Sequence, residues 1–285
     1  MINLGYYNGR FDELEKMYIP MNDRASYFGD GCYDTAYSRN HIIYNLDEHI
    51  DRFYLSASLL RIDIPHTKNE LKDILNSMLS KVDCGECFIY WQATRGTGIR
   101  SHQFPTDGSK ANIWITITPE EVFTPDVTQK VITVEDTRYL HCNIKTLNLL
   151  PSVLAIQKAV EAGCDEAIFH RNGRVTECAH SNVHIIKNEI LITAPADNLI
   201  LHGIARTNLI KMCKKLGYAV EEREYSISEL MEADEVILTN CGAFCTQITE
   251  VDGIKVGGKS TDMLKKLQTA LFDDFIDSTN IKIEK

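Results

Sequence analysis

Lys145 sits in Asn143-Ile144-Lys145-Thr146-Leu147, among apolar neighbours and with no acid close by in sequence. A lysine in that setting is a candidate for a desolvated amine. Burial disfavours the ammonium form and lowers the pKa, as Schiff-base chemistry requires. Further along, Glu177 lies in Val175-Thr176-Glu177-Cys178-Ala179-His180-Ser181-Asn182. An acid of this kind can hold the protonated ring nitrogen of a pyridine-type cofactor. Taken singly, the two residues read more readily as a lysine snorkelling at a helix start and a surface glutamate. The remaining polar clusters have to decide.

In Phe28-Gly29-Asp30-Gly31-Cys32-Tyr33-Asp34, the glycines permit a tight turn or a close backbone approach beside Tyr33. A plain loop is the alternative. In Arg95-Gly96-Thr97-Gly98-Ile99-Arg100-Ser101-His102, Arg100 can grip a carboxylate with both arms of its fork. His102 falls on the same side if the segment is extended. A solvated loop is again the alternative, although glycine, proline and aromatic residues at a strand end suit a binding loop. Leu201-His202-Gly203-Ile204-Ala205-Arg206 brings a glycine into an amphipathic helix, whose free N–H groups and positive dipole end can take a phosphate. His49 and Arg52 share a helical face one turn apart, and fit either an ion pair with Glu48 or Asp51 or a phosphate ligand. No dinucleotide fingerprint or P-loop spacing occurs.

The elements that must position these groups alternate between helix and strand patterns. A hairpin over Met1–Tyr18 turns at Asn8-Gly9. Helices are expected over Asp47–Leu60, with Ile50, Phe53, Leu55, Leu59 and Leu60 inward, and over Thr67–Val82, where Thr67 and Glu70 form a capping box. Cys87–Thr94 and Asn112–Thr118 read as strands, and Pro119–Gln129 as a linker. A strand Lys130–Glu135 and a helix Pro151–Ala162 follow, then hairpins at Asn172-Gly173 and Lys187-Asn188. After them come a helix Ile204–Leu216 and a strand, helix and strand over Ala219–Glu222, Ile227–Ala233 and Glu235–Thr239. A hairpin at Asp252-Gly253 and a helix Thr261–Ile276 complete the chain. The expectation is an α+β chain of two domains, 1–119 and 130–285, joined by 120–129, with Lys145 on the second.

Composition narrows the function class. With 285 residues, 44% hydrophobic and 25% charged, the chain is an ordinary globular protein. A net charge of −10 with mixed signs argues against nucleic acid or an anionic membrane as partner. No apolar run approaches the roughly 18 residues of a membrane span, and no leader pattern opens the sequence. Nine scattered cysteines are read as reduced cytosolic thiols. Cys84-Gly85-Glu86-Cys87 has metal or redox spacing but lacks a second pair, so no metal is expected.

Taken in order, Glu48–Arg52, Thr94–Pro105, Ile144–Leu150, Glu177–Val183 and Leu201–Arg206 resemble the fold type IV pyridoxal-phosphate enzymes, the class IV aminotransferases, and within them the bacterial D-amino-acid aminotransferases. The resemblance implies pyridoxal 5'-phosphate in a Schiff base with Lys145, which also moves the substrate Cα proton. It implies Glu177 on the pyridine nitrogen and Leu201 against the ring. Arg52, the N–H groups of Ile204 and Ala205, and the loop at Cys241 would hold the phosphate. Tyr33, Arg100 and His102 would trap the substrate α-carboxylate, the last two across a homodimer. The implied activity is transamination between D-amino acids and 2-oxo acids of the D-alanine/D-glutamate type, in the cytoplasm. The sequence departs from the family pattern at Ala205, at Asn240-Cys241-Gly242 and at Ala179-His180, where hydroxyl residues are expected. These departures leave open a pyruvate-releasing aminodeoxychorismate lyase, which would lack the Arg100/His102 pair. An L-branched-chain aminotransferase on the same fold and a non-catalytic binding protein with a structural lysine also stay open.

Overall fold

A computed structural model describes residues 2–106, 108–122 and 124–280. The chain divides into two compact units. The first comprises Met1–Glu121, Ile144–Asn148 and Ile276–Lys285; the second comprises Val122–Asn143 and Leu149–Phe275.

In the first unit, β1 (Leu4–Tyr7) and β2 (Arg10–Asp12) form the hairpin at Asn8-Gly9, where both residues take positive φ. A short helix α1 (Arg24–Phe28) leads into β3 (Gly31–Arg39) and β4 (Ile42–Ile43). Helices α2 (Leu46–Leu59) and α3 (Lys68–Leu79) precede β5 (Cys87–Thr94) and β6 (Asn112–Pro119). The strands make one antiparallel sheet in the order β2-β1-β6-β5-β3-β4. Alternation along β5 turns Ile89, Trp91 and Ala93 inward, where Trp91 meets Phe53 of α2 edge-on at 6.2 Å. That choice of face decides the site. In β3 the same alternation sends Asp34 toward α2 and Tyr33 to the opposite face, beside Tyr90.

The second unit opens with β7 (Thr128–Glu135), followed by α4 (Leu150–Glu161), β8 (Glu166–Arg171), β9 (Arg174–Cys178), β10 (Asn182–Lys187) and β11 (Ile190–Thr193). Then come α5 (Ile204–Lys215), β12 (Ala219–Glu222), α6 (Ile227–Met231), β13 (Glu235–Thr239), β14 (Thr246–Val251), β15 (Ile254–Lys255) and α7 (Thr261–Ser278). A mixed nine-stranded sheet runs β12-β11-β10-β13-β14-β7-β8-β9, with β15 on β14. Val183, Ile185, Val236, Leu238 and Ile248 fill its core.

Four expectations need correction. The stretch around Tyr33 is no loop: Gly29, at φ 61, closes α1, and β3 starts at Gly31. Asp34 is tolerated inside that strand because Arg52 and His49 neutralise it. Leu55 and Leu59 face solvent, since the buried stripe of α2 follows Ile50, Phe53 and Ala57 at helical spacing. The second unit's first strand begins at Thr128, inside the stretch expected to be linker. Ile144–Asn148 groups with the first unit, because it pairs with the start of β3. Tyr33 N–H donates to Lys145 O at 2.9 Å, and Leu147 N–H donates to Gly31 O at 3.1 Å. A side chain at Gly31 would collide with Ala93 O and Leu147, so this close pairing requires glycine.

Candidate active site

The first unit carries an amine against aromatic rings. Lys145 is held by its backbone: its N–H donates to Ser56 Oγ of α2 at 3.2 Å, and its carbonyl accepts from Tyr33. Its Nζ lies 4.4 Å from the centroid of the Tyr33 ring, which stacks on Tyr90 at 5.3 Å. Behind this pair lies a buried charge network. Asp34 is fully buried and accepts from Arg52 Nε (2.9 Å) and Nη2 (2.7 Å), with His49 Nδ1 at 2.8 Å. Burial alone would raise the Asp34 carboxyl, yet Arg52 and His49 together hold it well below the usual carboxylate range. Burial in turn pushes the His49 imidazole down, against the pull of Asp34. The partner of His49 and Arg52 is therefore Asp34, neither Glu48 nor Asp51; Asp51 pairs with Lys68 at 2.7 Å.

Arg100 and His102 are exposed, and both lie against Phe28, the guanidinium 5.2 Å from its centroid and the imidazole ring 5.1 Å away. The loop holding them is clamped at its base by Phe104, which has Arg95 on it at 3.7 Å and Arg61 at 5.1 Å. The structure thus brings Tyr33 to Lys145, and Arg100 to His102, as two groups on one unit.

The second unit carries a buried acid ringed by donors. Glu177, at the end of β9, accepts from Arg138 Nη1 at 2.5 Å, Asn182 Nδ2 at 3.0 Å and Leu201 N–H at 2.9 Å. Burial pushes its carboxyl up to about 7, against the charge of Arg138 and these hydrogen bonds. Arg138 is itself fixed by Asp136 through Nε and Nη2, both at 2.9 Å. Asn182 links the acid to the next element. Its Nδ2 also donates to Leu201 O at 3.0 Å, and a Cβ on Gly203 would collide with its Oδ1. Gly203 is the N-cap of α5, and no side chain caps that helix. The N–H groups of Ile204 and Ala205 in its first turn face an end that attracts anions. Thr207 spends its hydroxyl on Gly203 O. Cys241 follows Asn240, which donates to Ser181 Oγ at 3.0 Å and accepts from Gly242 N–H at 2.9 Å. His180 pairs with buried Glu166 at 2.8 Å.

An amine, a donor-ringed acid near neutrality and an uncapped helix start make a recognisable set. The family described as amino-transferase class IV matches residues 31–251. This chain belongs to it. Among relatives of the aminotransferase, a D-alanine aminotransferase of Listeria monocytogenes serotype 4b (strain F2365) is 37% identical, covering 94% of this chain and 95% of its own. One from Bacillus licheniformis is 36% identical, covering 96% and 97%. Among solved structures, a branched-chain aminotransferase from Thermoproteus uzoniensis superposes with TM-score 0.87 at 22% identity, covering 96% of this chain and 95% of that one. The branched-chain amino acid aminotransferase from Escherichia coli gives 0.87 at 24% identity, covering 100% and 98%. These structural likenesses establish the fold.

Pyridoxal 5'-phosphate is the cofactor of this family. Each unit carries groups of the chemistry such a cofactor takes: an amine, Lys145, on the first, and a buried acid, Glu177, with an uncapped helix start on the second. Sequence reasoning missed Arg138 and Asp34. Arg138 had a faint signal, a basic residue just past a strand end in Asp136-Thr137-Arg138. Among the described residues, no group of three or more His, Cys, Asp or Glu side chains could hold a metal, and no helix is long and apolar enough to cross a membrane. Cys87 Sγ donates to Cys84 O at 3.1 Å.

Proposed function

We propose that this aminotransferase moves amino groups between D-amino acids and 2-oxo acids, with D-alanine or D-glutamate as donor. The observation that carries the reading is the near full-length identity to relatives named D-alanine aminotransferase. The exposed Arg100/His102 pair supports it.

When bound, the cofactor supplies an aldehyde that condenses with amines and a ring that accepts electrons from the substrate Cα. The protein does the rest. Lys145 would hold the aldehyde at rest through Nζ, and in each half-reaction would carry a proton between the substrate Cα and the cofactor carbon. Glu177 would hold a proton on the ring nitrogen, with Arg138, Asn182 and Leu201 N–H favouring its carboxylate against burial. Leu201 would pack on the ring. The phosphate would be held by the N–H groups of Ile204 and Ala205, by the loop at Cys241 and by Arg52, whose fork is fixed by Asp34. Tyr33, Arg100 and His102 receive the α-carboxylate and set which face of Cα meets the lysine.

We place the enzyme in the cytoplasm as a homodimer with two functional domains. Nine cysteines, none of them in a disulfide among the described residues, suit a reducing compartment. Leu150, Val153 and Leu154 of α4, 55–68% exposed, suit burial against a second copy; sedimentation at micromolar concentration checks this.

The deciding test is a half-reaction screen, following the cofactor absorbance with D- and L-alanine, glutamate, aspartate and leucine. Bleaching by D-alanine or D-glutamate, and hardly by L-enantiomers, is expected. Bleaching by L-leucine instead, or pyruvate release from aminodeoxychorismate without D-amino acid turnover, overturns the reading.

A further inference from the structure

His184 lies in β10, fully buried, on the face of the sheet that also carries Asn182. It bridges two strands: Nδ1 is 2.9 Å from Thr193 Oγ1 of β11, and Nε2 is 2.9 Å from Thr239 Oγ1, the last residue of β13. Thr193 Oγ1 also accepts from Arg206 Nε at 3.2 Å. Arg206 belongs to the first turn of α5 and is anchored further by Ala194 O and Glu222 Oε2, each at 2.9 Å. Thr239 leads directly into Asn240-Cys241-Gly242, where Asn240 turns back on itself through Gly242 N–H and reaches Ser181. These contacts fit one donor direction, from Arg206 to Thr193 to His184 to Thr239, in which an uncharged ring accepts with one nitrogen and donates with the other. Burial, helped by the charge of Arg206, pushes the imidazole down to about 3 and keeps it so.

An aliphatic residue would fill this space without joining anything. A histidine with both nitrogens engaged fixes the start of α5 and the loop after β13 to each other. We infer that His184 is a positioning residue for cofactor phosphate, setting the separation of the α5 N-terminus and the Asn240–Gly242 loop. This rests on the reading above that those two elements hold the phosphate. It also offers a physical compensation for Ala205 and Cys241: where hydroxyl ligands are missing, the backbone donors must be placed more rigidly to hold the anion.

The test compares two ligands that differ only in the phosphate. Dissociation constants are measured for pyridoxal phosphate by equilibrium dialysis of the holoenzyme, and for pyridoxal after the cofactor has been removed. Wild type should prefer the phosphate ester strongly; failure to do so sinks the assignment of the phosphate site itself. His184→Leu should lower that preference about tenfold or more while leaving pyridoxal binding unchanged. His184→Gln, which keeps a donor and an acceptor, should retain more of it. Thr239→Val cuts only the link to the loop and decides the matter if His184→Leu does not fold. An unchanged preference in folded Thr239→Val and His184→Leu, with only a lower Tm, overturns the inference, as does equal loss in His184→Leu and His184→Gln.

Discussion

Arg138 sets the charge state of Glu177, and removing it should move that acid by a measurable amount. In the cofactor-free protein, burial raises Glu177 from 4.5 to about 7, a difference of about 3 kcal/mol between its protonation states. Arg138 opposes burial through a 2.5 Å contact. A unit-charge pair about 4 Å apart at an effective dielectric near 20 interacts by about 4 kcal/mol, roughly three pH units as an upper figure. Arg138→Gln keeps a donor but removes the charge. Asp136 still has Arg171 at 3.1 Å, so of the two buried carboxylates that Arg138 touches only Glu177 loses its cation. The Glu177 carboxyl should therefore rise by about one to three units, above 8. Its 13C-carboxyl resonance in labelled apo-protein reports this directly, with Glu177→Gln as the assignment control. The folded state keeps a proton that the unfolded chain releases near 4.5, so this group's contribution is present at low pH and is lost as pH rises toward 7. In Arg138→Gln that loss should extend to higher pH. The holoenzyme should also lose turnover at neutral pH, because a neutral acid cannot hold the ring proton. An unshifted resonance would refute the claim that Arg138 keeps this carboxylate ionic.

Borohydride reduction of holoenzyme followed by peptide mapping should find the cofactor on Lys145, and Lys145→Ala should retain none covalently. Arg52→Ala leaves Asp34 buried without its guanidinium and should destabilise the fold by about 3–5 kcal/mol in urea titration. Its cofactor affinity has to be compared with Thr207→Ala, which should be near wild type on both counts since Thr207 bonds its own helix. Gly203→Ala should force Asn182 or the start of α5 to move, weakening cofactor binding about tenfold or more with little change in Tm. Arg100→Ala should raise KM and erode the preference for D-enantiomers, at roughly 1.5–3 kcal/mol for the charge-assisted bonds lost.

Local signals were legible where one element answers to one rule. Cys87–Thr94 alternates, Thr67 and Glu70 cap α3, and Gly163 and Gly217 end their helices at positive φ. β3 was not legible, because its central aspartate becomes acceptable only once the following helix folds back and brings Arg52 and His49 to it. The same limit hid Arg138. Its partner Glu177 lies a strand and a helix away, and no local pattern pairs them. Lys145 and Glu177 stood out by neighbours and motif, but the donors that tune them are tertiary.

The pairing of Ile144–Asn148 with β3 has a consequence for synthesis. When residues up to 121 have left the ribosome, Tyr33 N–H and Gly31 O lack the partners that Lys145 and Leu147 later supply. An unfinished strand offers those groups to any passing chain, and nascent domains usually avoid this by folding as soon as they emerge. Here the first unit also waits for residues from 276 onward, so it cannot finish until the whole second unit has been made. A gene cut at the 121/122 boundary would yield one fragment with most of the first sheet but without Lys145, and another that holds the second unit together with the first unit's missing pieces. Lys145 thus arrives on the same stretch of chain that completes its scaffold.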